Sequence, residues 1–233
     1  MSNAVEIRNV SKRFGTETVL KSINMELEEG TITGIVGRNG SGKTVLMKCL
    51  LGFLRPEEGE ITVFGKRIGK DVDFAPYTGM IIETPGFIDT ESGAANLKYL
   101  QRIRPSGSCL SPESAMTLVG LDPKNKKAVS KYSLGMRQRL GIAQAVMEQP
   151  KLLVLDEPMN GLDNDGVEEM RSLLKQFRDQ GVTIFLASHN PLDISELCDT
   201  VYSMDHGILQ KAGISQNKNT GDVQTAGNLR GMP

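Results

Sequence analysis

The sequence predicts an α/β fold with a mainly parallel core sheet, an antiparallel β-subdomain near the N-terminus and a helical subdomain from about residue 85 to 149. Three observations carry this. A glycine-rich run, Gly37 to Thr44, joins an apolar β-rich stretch to a helical pattern. Two later runs, Leu152–Leu155 and Val182–Ala187, are apolar without alternation, as parallel strands covered on both faces are. Between Pro85 and Gln149 strand signals vanish and helical ones replace them.

Taken in order, Val5–Val10, Val19–Leu27 and Thr31–Val36 are short β-rich runs, and Glu60 through Gly65 to Ile68 has the form of a hairpin. The first helix begins at Gly42, carries Val45, Leu46, Cys49 and Leu50, and stops at the Arg55-Pro56 break. In the helical segment, one helix bears Leu97, Leu100 and Ile103. A second opens with Ser111-Pro112, a capping residue followed by proline at the first helical position, and ends at Gly120; a third follows Ser133 and ends at Pro150. Beyond Pro150, Val167, Met170, Leu173, Leu174 and Phe177 form one helical face closed by Gly181. Residues 214–233, rich in Gly, Asn, Gln and Lys, have almost nothing to bury and are expected to be a flexible polar tail.

Composition narrows the function. At 233 residues the chain suits one domain, or one with a helical insertion sharing its core. Its 27 Lys and Arg against 28 Asp and Glu leave a net charge of -1, so no global field favours nucleic acid or an anionic membrane. The cluster Lys124-Asn125-Lys126-Lys127, without aromatics, reads as a solvated loop. Cys49, Cys109 and Cys198 have neither zinc-ligand nor CxxC spacing, which predicts buried small hydrophobes in a reducing compartment. No apolar run approaches the roughly 18 residues a membrane-spanning helix needs, and no signal peptide opens the chain, so a soluble protein is expected.

Gly37-Arg38-Asn39-Gly40-Ser41-Gly42-Lys43-Thr44 has the spacing of a phosphate-binding P-loop, placed between strand and helix as that role requires. Gly37, Gly40 and Gly42, with Asn39 and Ser41, let backbone N–H groups converge on phosphate oxygens while the helix turns its positive end to the same point. Lys43 then balances the β- and γ-phosphate charge, and the Thr44 hydroxyl is a hard oxygen suited to Mg²⁺. The strand Leu152–Leu155 ends in Asp156-Glu157. Asp156 is thereby assigned to the Mg²⁺ shell and Glu157 to the attacking water as general base.

Tyr132-Ser133-Leu134-Gly135-Met136-Arg137-Gln138-Arg139 resembles the signature motif of ABC ATPases, and it precedes the acidic strand as it does in that family. Ser133 caps a helix whose free N–H groups can hold an anion. The resemblance implies that this anion is the γ-phosphate of ATP bound on the opposite protomer, contacted by Ser133 and Gly135. Asn160-Gly161-Leu162-Asp163 is similar to the D-loop, Ser188-His189 to the switch histidine, and Phe14 falls where the family places an aromatic against adenine. Over residues 5–213 the resemblance implies the P-loop NTPase fold of ABC ATPases, with ATP and Mg²⁺ as ligands. It further implies a head-to-tail dimer, membrane permease subunits as partners, no nucleic acid, and a place in the cytoplasm on the inner face of the membrane.

Two departures matter. The signature has Leu134-Gly135-Met136 where the family usually has Gly-Gly-Gln. Glu83 stands at the Q-loop glutamine position, where it is expected to add a metal ligand together with a negative charge near the phosphates. Glu83 with YSLGMRQRL and DEPMNGLD resembles the ATPases of bacitracin- and lantibiotic-type exporters, which implies transport of peptide antibiotics. Other ABC motors, importers included, share the same motifs. A soluble ABC protein acting on ribosomes or DNA fits less well, because the chain has one cassette and no heptad run.

Overall fold

The computed structural model of the chain describes residues 2–103 and 109–212. Among them, two sheets form. The antiparallel one runs β2-β1-β4-β5, built from β1 (Asn3–Phe14), β2 (Glu17–Glu28), β4 (Glu58–Val63) and β5 (Lys66–Arg67). The period of 2 decides its orientation: Ile23, Met25 and Leu27 are buried while the residues between them are exposed. At the β4–β5 turn Phe64 and Gly65 both have positive φ, 45° and 72°, the turn whose twist matches a hairpin.

The second sheet runs β10-β9-β3-β8-β7-β6. Here β3 (Ile32–Val36), β6 (Thr78–Ile81), β7 (Leu152–Asp156), β8 (Thr183–Ala187) and β9 (Thr200–Asp205) are parallel, and β10 (Ile208–Ala212) returns antiparallel. Both faces are covered, which explains the unbroken apolar runs. Leu152 and Val154 pack toward the antiparallel sheet and helix α1 (Lys43–Leu51); Leu153 and Leu155 pack toward the helices on the other side. Each such side chain taken out of water contributes about 1.5–3 kcal/mol.

Those helices are α2 (Gly93–Ile103), α3 (Pro112–Leu118), α4 (Leu134–Met147), α5 (Asn164–Asp179) and α6 (Pro191–Leu197), with a 3₁₀ turn at Val129–Lys131. Their starts follow the capping chemistry. Ser111, Ser133, Asp163 and Asn190 each accept a hydrogen bond from a first-turn backbone N–H, and proline occupies the first turn of α3 and of α6. None of the helices among the described residues is long and apolar enough to cross a membrane.

Several elements escaped the sequence reading. β6 is four residues with a glycine in it, a pattern that argues against a strand. Gly79 is required because a Cβ there would land on the carbonyl oxygen of Ala145 in α4. The β9–β10 hairpin was also missed, although its turn, His206-Gly207, has both φ angles positive (45° and 77°) and Gly207 as a signal. The reading of all three cysteines as buried is corrected: Cys49 and Cys198 are buried, but Cys109 is only half-buried, because it precedes α3 at the edge of the helical layer. The loop from Lys124 to Lys127 is largely exposed, as expected of solvated lysines. The expected polar tail, 214–233, lies outside the described residues.

Candidate functional site

The turn from β3 into α1 is shaped by its glycines. Gly40 and Gly42 adopt φ of 79° and 112°, and a Cβ on Gly37 would collide with the carbonyl oxygen of Met204. Lys43 is buried at 7% exposure, with Nζ donating to the carbonyls of Gly37 (2.7 Å) and Arg38 (3.2 Å). Ser41 Oγ is buried without a hydrogen-bond partner among the described residues. A curled backbone, a folded-back ammonium and an orphaned hydroxyl form a cradle suited to phosphate oxygens.

β7 delivers the carboxylates to the same place. The sheet order sets β7 one strand away from β3, so the C-terminal ends of both open on one edge. Thr44 Oγ1 donates to Asp156 Oδ2 at 2.7 Å, which joins residues 112 positions apart in sequence. Glu157, next in the chain, has φ of 51°, a left-handed backbone uncommon for a glutamate. That conformation is held on both sides: its N–H donates to Ala187 O (2.9 Å) and its carbonyl accepts from Gln138 Nε2 (3.2 Å). The side chain therefore turns into the cleft, where Oε2 lies 2.8 Å from His189 Nδ1.

Phe14, Asn39 to Val45, Glu83, Asp156 and Glu157 line one cleft of about 650 Å³, within the usual size of a small-ligand site. Phe14 sits at the end of β1, 47% exposed, with Lys12 Nζ 5.3 Å from its ring centroid. Lys12 sits over the ring, and about half of the residue remains open to solvent. Among the described residues no cluster of three or more His, Cys, Asp or Glu could by itself hold a metal. Thr44 and Asp156 fit Mg²⁺, which binds through one or two protein oxygens and completes its shell with phosphate and water.

Two expectations are refined. Glu83 lines the cleft, but its charge is not left bare: Oε1 pairs with Lys48 Nζ at 2.7 Å, a partner the sequence reading did not find. Lys48 lies four residues after Thr44, one turn along α1, and helical periodicity would have placed it there. Ser133 and Gly135 do not line the cleft of their own chain. Ser133 is exposed, its Oγ accepting from Met136 N at 3.2 Å. Gly135 packs against the Asn160-Gly161 turn, where a Cβ would come within 2.8 Å of Gly161 O. Gln138, which joins the signature helix to Glu157, was also overlooked as a functional residue.

Residues 20–160 match the ABC transporter family. The chain belongs to that family. An uncharacterised ABC transporter ATP-binding protein of Bacillus subtilis, YybJ, is 42% identical over 88% of this chain and 94% of its own length. The bacitracin transport ATP-binding protein BcrA of Enterococcus faecalis is 40% identical, covering 93% of this chain and 71% of BcrA. The lantibiotic transport ATP-binding protein SrtF of Streptococcus pyogenes is 36% identical over 89% and 90%. The dimeric structure of the bacterial ABC transporter cassette MJ0796 superposes with a TM-score of 0.79 at 21% identity, covering 89% of this chain and 98% of that one, a likeness of fold. This ABC protein is thus an ATP-binding ATPase subunit, and the described cleft is lined by Asn39 to Thr44 of the glycine-rich turn, Glu83, Asp156 and Glu157, with Gly37 and His189 outside its lining.

Proposed function

We propose that this ABC ATPase drives the export of peptide antibiotics of the bacitracin or lantibiotic type through a membrane permease, with its residues 1–213 acting as one catalytic unit. The observation that carries the enzymatic half is the Thr44–Asp156 hydrogen bond, which joins the phosphate cradle to the acidic strand end at one point. The relatives named for bacitracin and lantibiotic transport, together with Glu83 at the Q-loop position, support the cargo.

In this reading Phe14 stacks on the adenine, while Asn39, Gly40, Ser41, Gly42 and Lys43, which line the cleft, hold the phosphates together with Gly37, which packs against Ser41 at the start of the turn. Thr44, Asp156 and Glu83 would hold Mg²⁺, which would screen charge on the phosphate oxygens. Glu157 orients water and accepts its proton as the oxygen attacks the γ-phosphorus. The bond from that phosphorus to the β–γ bridging oxygen breaks, and ADP departs with that oxygen. His189, 2.8 Å from Glu157, fixes the carboxylate. Ser133 and Gly135 of a second copy complete the site from the opposite side; that neither lines the cleft of its own chain, and that Ser133 is exposed, supports this reading. The subunit would work in the cytoplasm, against the inner face of the membrane.

The test is to express the chain with its native permease in a sensitive bacterium and measure survival against a panel of bacitracin and lantibiotics. Protection that disappears with Glu157→Gln supports the proposal. Sensitivity to every member of the panel, from a complex that hydrolyses ATP, would refute the cargo.

A further inference from the structure

His189 is exposed, with 68% of its side chain open, and its ring makes one polar contact, to Glu157. An exposed ring held by a single contact must be aimed from its backbone. The backbone on both sides of His189 is tied to a buried ion pair that does not line the cleft. Arg171 of α5 and Asp193 of α6 are 4% and 1% exposed. Arg171 Nε and Nη2 both donate to Asp193 Oδ1, at 3.0 and 2.6 Å. The other carboxylate oxygen, Oδ2, accepts from the hydroxyl of Ser188 at 2.8 Å. That same hydroxyl oxygen accepts the backbone N–H of Asn190 at 3.1 Å. Ser188 and Asn190 flank His189.

Taking two charges out of water costs several kcal/mol per ion, and an apolar pair of the same volume is often no less stable. A buried pair kept at that cost, with every carboxylate oxygen occupied and the chain of bonds ending at the residues around His189, suits the fixing of a loop better than the stabilising of a core. Glu168 and Glu196 both accept from Arg171 Nη1, at 2.6 and 3.4 Å, so the guanidinium is bonded to three carboxylates.

We propose that Arg171, Asp193 and Ser188 are positioning residues for His189: the buried pair clamps the Ser188 hydroxyl, which sets the backbone of residues 188–190 and so aims the imidazole at Glu157. The inference rests on the proposed role of His189, and the test separates the two. In the full chain, Ser188→Ala removes the hydroxyl from this relay while leaving the ion pair. It is expected to lower kcat about ten- to a hundred-fold, the penalty of an imprecisely placed catalytic group, with KM and equilibrium ATP binding within about two-fold. Ser188→Thr, which keeps the hydroxyl, should restore turnover, and thermal unfolding should confirm that both variants are folded. Combined with His189→Ala, Ser188→Ala should add no further loss, because both act through one imidazole. Wild-type kcat in Ser188→Ala, or losses that multiply in the double variant, would overturn the proposal while leaving the role of His189 standing. Wild-type turnover in His189→Ala would overturn that role and the positioning with it.

Discussion

Glu157→Gln isolates the chemistry from the binding, and the structure sets what each should do. The backbone of residue 157 keeps its two anchors, the N–H to Ala187 O and the carbonyl from Gln138, since neither uses the side chain. The amide oxygen of glutamine can still accept from His189 Nδ1, so the geometry at 2.8 Å survives the change. Nothing buried loses a partner, and the stability change should stay within about 0.5 kcal/mol. The cradle for phosphate, Lys43 and the Thr44–Asp156 pair, is untouched, so ATP affinity should stay within about two-fold of wild type. The side chain loses its negative charge and, with it, the capacity to take a proton from water. Positioned general bases contribute about 10²–10⁴ in rate, equivalent to about 2.7–5.4 kcal/mol of barrier. Phosphate release under saturating ATP and Mg²⁺, read beside equilibrium ATP binding and sedimentation, should therefore show kcat falling by that factor while an ATP-bound dimer accumulates. Turnover within about three-fold of wild type would refute the assignment of the base. Loss of ATP binding would instead make Glu157 a ligand-holding residue.

Removing the counter-charge from Glu83 should be felt by ATP: Lys48→Met leaves a carboxylate beside the phosphates without its cation. A partly exposed pair carries about 0.2–1 kcal/mol, so ATP should bind up to about five-fold more weakly, with Glu83→Gln restoring affinity in the double variant; isothermal titration reads both. Gly79→Ala forces a methyl onto the Ala145 carbonyl and should cost about 1–3 kcal/mol. Thermal unfolding would show it as a lower Tm, and an unchanged Tm would mean that β6 and α4 separate more readily than their contact implies. Burial pushes the thiols of Cys49 and Cys198 up to about 11 and about 12, and it raises Cys109 as well, with Glu148 adding to the effect. The native state thus binds these protons more tightly than the unfolded chain. Their stabilising contribution is complete below the ordinary thiol range near pH 8.5 and declines as pH rises through 11 and 12. At pH 8 iodoacetamide should modify half-buried Cys109 before the other two, as peptide mass spectrometry would reveal, whereas equal labelling of all three would contradict the packing.

Much of the site was legible because its chemistry is local. The glycines of Gly37–Gly42 announce a curled backbone, and apolar Leu152–Leu155 ending in Asp156-Glu157 announces a covered strand with acids at its mouth. The helix starts at Ser111 and Ser133 are capping residues that need only their own first turn. β6 was hidden for the opposite reason: a glycine that weakens a strand was demanded by a helix more than sixty residues away in the chain, and only packing imposes that demand.

The sequence by itself determined which residues can cradle phosphate, hold a metal and accept a proton, because those capacities belong to side-chain chemistry and to backbone freedom over a few residues. Tertiary structure alone decided which of them meet. It set Thr44 against Asp156, turned Glu157 toward His189 through a left-handed backbone, gave Glu83 the cation of Lys48, and buried Arg171 with Asp193 behind Ser188. Those pairings arise from strand order and helix packing, where contacts between distant segments are chosen by burial of both faces of one sheet, and no local pattern of residues encodes that choice.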